Sequence, residues 1–264
     1  MHSLSQRVLQ IPTIVFAGIF FITIFVLNWL GYRARKKISR LHPEKEVALG
    51  AAEGSLFGLM ALLLAFSFGI VATKFESRRQ LIIDEANFIN AAILRCNLYP
   101  DSIKQWLLPD FKQYLESRIA YYDIGDSPTE DEIKTTLNDA NQHFNSIWSK
   151  ANLLTKDKEN RSLTEQMITV LINMKNIAAT REAARHGTFP LLIATVLLFL
   201  VFISSFLMGY GVNPNQRNPI ISLAFSLMTT ATIFLIMELA RPRQGYINLD
   251  KAEQNMVDLR KMFP

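Results

Sequence analysis

The stretch that decides the fold is Leu62–Ala92, LLLAFSFGIVATKFESRRQLIIDEANFINAA. Through Thr73 it carries no charge, and from Lys74 onward it is studded with charges yet holds no Gly or Pro before Pro100. An apolar run of about 20 residues is what a helix needs to cross a bilayer. The strong helix formers that follow give that helix no reason to stop at the membrane surface. The sequence therefore predicts a membrane-crossing helix that runs on, unbroken, into a water-soluble segment.

Working outward, residues 8–32, 54–73, 186–216 and 218–237 contain no Asp, Glu, Lys or Arg. Four spans follow, at about 11–30, 54–73, 189–210 and 219–237. The first is too long for a signal peptide's apolar core, and no small-residue cleavage pattern precedes Arg33, Arg35, Lys36 and Lys37, so it is read as an anchor. Asn213 and Pro214 put a tight turn between the last two spans. Between the second and third spans lies a soluble insert, 74–188, and after the fourth a tail, 240–264. The fold class is an all-α membrane protein: a transmembrane hairpin (1–73), a helical insert, and a second hairpin (189–239).

The insert reads as helices throughout. Leu163, Met167, Val170, Leu171, Met174, Ile177 and Ala178 recur with helical period, and so do Ile133, Leu137, Ala140, Phe144, Ile147, Trp148 and Ala151. Start signals are read at Ser127 with Pro128 and Glu130, and at Ser162 with Glu165. Two more helices are expected at about 76–97 and 109–122.

The 264 residues hold 28 basic and 23 acidic side chains, a net charge of +5. The insert alone is close to neutral, so the positive excess flanks the apolar spans. That placement points to lipid headgroups and away from nucleic acid. A single cysteine, Cys96, excludes an intrachain disulfide and a Cys-based zinc site. His2, His42, His143 and His186 show no metal-ligand spacing, and neither a phosphate loop nor a nucleophile elbow is present. Asp84, Glu85 and Glu130–Glu132 read as solvated helix faces. No metal, no cofactor and no enzymatic activity are expected.

Three features of the second span bear on function. Gly50, Gly54 and Gly58 recur every four residues, a surface for close packing either within the bundle or between copies of the chain. Leu62, Phe66 and Ile70 form an apolar row, which is lipid or core packing in a monomer and a hydrophobic constriction if copies surround an axis. Lys74, Arg78 and Arg79 at the exit are headgroup anchors, and in a multimer a basic ring that favours anions. Glu53, Glu238 and Asn28 are read as interfacial, near enough to span ends to reach water.

Leu62–Ala92 resembles the diagnostic segment of a bacterial membrane family described as bestrophin-like, a domain of unknown function. The matching residues are Phe66, Phe75, Arg78, Arg79, Glu85, Ala86 and Asn87, joined by Arg241, Pro242 and Gly245 in LARPRQGYINLD. The order of elements agrees across nearly the whole chain. More distantly, the chain is similar to bestrophins, pentameric chloride channels whose second span lines a neck. That resemblance implies a homo-oligomer with Leu62 and Phe66 at neck positions and chloride or another anion as the permeant. Gly58 departs from the bulky residue expected at the next neck position, and no acidic cluster matches the calcium clasp of animal bestrophins. The protein is accordingly expected in the bacterial inner membrane, as a multi-pass channel or as a non-conducting scaffold whose insert binds a partner. Ten basic residues near the spans on the insert side against seven on the other favour a cytosolic insert, while the density of the 31–49 loop pulls the other way.

Overall fold

The computed structural model describes residues 13–41, 50–124, 129–185, 190–212, 218–241 and 247–263. Every regular element among them is helical: α1 (Thr13–Leu41), α2 (Gly50–Cys96), α3 (Asp101–Asp123), α4 (Glu130–Leu154), α5 (Arg161–Arg185), α6 (Leu191–Tyr210), α7 (Pro219–Ala240) and α8 (Asp250–Asp258), followed by a 3-10 turn, Leu259–Met262. Four helices, α1, α2, α6 and α7, are long and apolar enough to cross a membrane. The chain divides into two units, Met1–Phe75 with Thr188–Ile247, and Glu76–Gly187 with Asn248–Pro264. Helix α2 contributes to both.

In the first unit, Phe20 and Ile24 of α1, Met60, Leu64 and Val71 of α2, Leu197 and Val201 of α6, and Ile233 and Ile236 of α7 share one core. Ring contacts fix neighbours: Phe20 lies 5.8 Å from Phe202, and Phe57 lies 5.9 Å from Phe225. Helix α7 starts as its sequence dictates. Pro219 sits in the first turn, where its missing N–H costs nothing, and the Asn218 side chain accepts from the Ile220 N–H at 3.0 Å. Asn213 and Pro214 lie outside the described residues. Helix α1 does not end with its apolar run at Leu30 but continues to Leu41 through Arg33, Arg35, Lys36, Lys37 and Arg40.

The second unit buries most of the predicted stripes, leaving Leu137, Leu163, Ile177 and Ala178 partly buried and Trp148 exposed. Ile133, Ala140, Phe144, Ile147 and Ala151 meet Met167, Val170, Leu171 and Met174 in one core with α2 and α3, and Met256 and Leu259 of the tail join it. Two start signals were misplaced. Helix α4 is capped by Thr129, whose Oγ accepts from the Glu132 N–H at 3.2 Å while the Glu132 carboxylate accepts from the Thr129 N–H at 2.8 Å. The same S/T-x-x-E spacing occurs two residues earlier at Ser127, which lies outside the described residues, as does Pro128. Ser162 falls inside the first turn of α5, which begins at Arg161. Helix α3 begins at Asp101, not near 109, and carries Pro109 in its interior. A mid-helix proline forfeits a backbone hydrogen bond. Leu107 and Phe111 on either side of it are both fully buried, which holds the helix through the break.

Candidate functional site: the outward face of α2 and a buried charge network

Helix α2 in the first unit has two unlike faces. Met60, Leu64, Ser67 and Val71 turn into the core, while Leu62 is 50% exposed, Phe66 59% and Ile70 36%. The glycines behave the same way: among the described residues, a Cβ built at Gly50, Gly54 or Gly58 meets nothing within 4 Å. Packing against the described part of the bundle therefore does not account for the stripe. The bundle's close approach lies elsewhere. A Cβ at Gly31 would collide with the Phe206 carbonyl, and one at Gly209 with the Asn28 carbonyl, so α1 and α6 touch backbone to backbone. Such contact is open only to residues without side chains, and it is a common way for membrane helices to associate.

Other residues near span ends are more enclosed than their position suggested. Asn28 is buried, with no hydrogen-bond partner for its Nδ2 among the described residues, and Glu238 is 1% exposed. Both depart from the interfacial reading, because α1 and α7 pack on the sides that carry them. Glu53 is half-buried, its carboxylate beside Gly211, where a Cβ would come within 2.5 Å of Oε2. At the exit, Arg79 donates through Nε and Nη2 to Glu76 at 2.9 and 2.8 Å. Lys74, Phe75 and Arg78 are partly buried, and Asn87 is exposed. Arg241 is partly buried as well, while Pro242 and Gly245 lie outside the described residues.

Glu85 and Ala86, by contrast, are core residues of the second unit. Glu85 is fully buried rather than solvated. One of its oxygens accepts from Arg118 Nε and the other from Arg181 Nη1 at 2.6 Å. Arg181 reaches on through Nη2 to Glu253 Oε1 at 3.4 Å. The guanidinium of Arg118 lies 5.0 Å from the Tyr121 ring, and that of Arg181 lies 5.7 Å from Tyr121 and 6.0 Å from Tyr122. Two carboxylates and two guanidiniums thus form a neutral set joining α2, α3, α5 and α8. Burial by itself would raise the Glu85 carboxyl, but the two guanidiniums win and hold it below the ordinary carboxylate range. An unpaired charge here would be costly, and the pairing is what makes the burial tolerable.

Arg118 carries no role in the sequence analysis, and Arg181, counted there only among the basic residues near the spans, is buried against Glu85; yet a signal existed. Glu85 falls in phase with Ile82, Ile89 and Ile93, Arg118 with Phe111 and Leu115, and Arg181 with Met167, Leu171 and Met174. Charges of opposite sign on the apolar faces of neighbouring helices are the mark of a buried pair. Among the described residues, no three His, Cys, Asp or Glu side chains gather to hold a metal ion.

The Bestrophin-like domain family matches residues 10–253. Similar solved structures include a bacterial bestrophin homologue from Klebsiella pneumoniae, at 12% identity and TM-score 0.71 over 95% of this chain and all of that one. A variant of that homologue is similar at 13% identity and TM-score 0.67, over 91% of this chain and 99% of that one. A protein described only as a membrane protein is similar at 12% identity and TM-score 0.72, over 92% and 98%. At such identities the likeness is one of fold. No curated protein matches the chain.

Proposed function

The chain belongs to the Bestrophin-like family, and on that premise we propose that copies of it assemble in the bacterial inner membrane around an anion path lined by α2. The observation that carries this reading is the outward face of α2. Among the described residues a Cβ at Gly54 or Gly58 meets nothing, and Leu62, Phe66 and Ile70 are exposed, although the same helix buries Met60, Leu64 and Val71 in the bundle. Small residues let neighbouring copies approach, and the apolar row forms a constriction that conducts when wetted and closes when dry. Lys74, Arg78 and Arg79 cluster basic side chains beside the exit, with Arg79 bonded to Glu76. In this reading the insert faces the cytosol, and chloride or a similar anion is the permeant. Purified protein in liposomes is expected to release chloride faster than empty vesicles and to run as an oligomer in detergent. No flux, together with a monomeric mass, would sink the proposal.

A second reading, a non-conducting scaffold, is favoured by exposed apolar residues of the second unit. Leu94, Leu98, Leu153 and Ile172 all lie on its surface. A stable partner captured through residues 98–180 by an oligomer that passes no anion would select it.

A further inference from the structure

We propose that the extension of α1 beyond its span is a binding site for anionic phospholipid, built from Trp29, Arg33, Lys36, Lys37 and Arg40. From Thr13 to Leu41 the helix carries five basic residues and no acidic one. Trp29, Arg33, Lys36 and Arg40 fall at i, i+4, i+7 and i+11, which places them on one face over about 17 Å of helix. At about 100° per residue, that face lies opposite the one formed by Phe20, Ile24, Asn28 and Gly31, which packs into the bundle. Arg35 belongs to the packing side, with its Nε and Nη1 enclosed. Arg33, Lys36, Lys37 and Arg40 are exposed.

Followed along its length, the outward face changes in the order in which a lipid molecule does. Ile19, Ile22 and Val26 are exposed apolar side chains at the depth of acyl chains. Trp29 comes next, where membrane proteins place aromatic belts. The Arg33 guanidinium stands 3.8 Å from the Trp29 ring, which holds the charge against that aromatic residue. Lys36, Lys37 and Arg40 continue the positive charge beyond. A second copy of the chain is the poorer occupant, because a one-sign stripe repels itself and the adjoining spans offer few acids to neutralise it. Glu44 and Glu46 follow in the chain, so the selectivity rests on the four cations before them.

The test uses the full chain, delipidated in mild detergent and titrated with phosphatidylglycerol, phosphatidylcholine or glycerol phosphate, with bound copies counted by native mass spectrometry. Phosphatidylglycerol is expected to be retained over phosphatidylcholine. The combined substitution Arg33→Gln, Lys36→Gln, Lys37→Gln and Arg40→Gln should weaken it by about tenfold or more. Lys134→Gln with Lys156→Gln, at exposed sites in the second unit, should leave binding unchanged. If the fourfold variant does not fold, Lys36→Glu with Arg40→Glu and the salt dependence of the native chain give the same reading. Equal retention of the two lipids, tight binding of glycerol phosphate alone, or disulfide cross-linking of Arg40→Cys between copies would each overturn the assignment.

Discussion

Replacing Glu85 by Gln keeps the shape of the side chain and removes its charge. Arg118 and Arg181 are then left facing an amide whose NH2 can only oppose their donors. All three side chains are at least nine-tenths buried, so water cannot take over the pairing. Removing one partner of a buried ion pair costs about 3–5 kcal/mol. For a domain of the second unit's size, at about 4 °C per kcal/mol, that is a fall in Tm of roughly 12–20 °C. The control is Arg260→Ala, which breaks the bond to Glu116 at 2.6 Å between side chains 49% and 42% exposed. A surface pair of that kind is worth about 1 kcal/mol or less. Thermal unfolding of the purified full chain, followed together with hydrogen exchange across α2, α3 and α5, reads both. Adding Arg118→Met to Glu85→Gln should recover part of the loss, because Arg181 keeps Glu253. A Glu85→Gln shift no larger than that of Arg260→Ala would show that the buried network contributes no more than a surface pair.

Acid should act on the same network. The Glu85 carboxyl is held below its ordinary value of 4.5, so its contribution is complete above that pH and is lost as pH falls through the depressed value; hydrogen exchange in the second unit should rise only in that acid range. Burial pushes the Cys96 thiol up to about 11, so a maleimide at neutral pH should label it only after denaturation, and rapid labelling of the native chain would contradict the packing described. Gly209→Ala should destabilise the first unit by about 1–3 kcal/mol or more, since a backbone carbonyl occupies the space. Gly58→Ala meets open space among the described residues and should leave monomer stability intact while weakening any contact between copies, a contrast visible as thermal stability against oligomer mass.

Much of the fold was written plainly in the sequence. Charge-free windows of 20 residues have few readings, and Ala140, Phe144, Ile147 and Ala151 could only be one face of a helix. What escaped was pairing between distant elements. Gly31 and Gly209 belong to no repeating glycine stripe, and nothing local says that each lies against the other's helix. Glu85, Arg118 and Arg181 were legible only by asking why charges should share the phase of an apolar stripe. Pro109 was read as a helix start because local propensity outweighs burial until the flanking Leu107 and Phe111 are seen in the core. The Gly50, Gly54 and Gly58 stripe was legible as a packing surface, but whether its partner lies inside or outside the chain depends on neighbours that a single sequence does not display.

Whether the outward face of α2 surrounds an axis is directly visible by electron cryomicroscopy of the purified assembly in lipid nanodiscs. The expected image is a ring of copies with Leu62, Phe66 and Ile70 turned toward a central path and Gly54 and Gly58 against neighbouring helices. A single copy, or a ring in which Phe66 faces lipid, would contradict it.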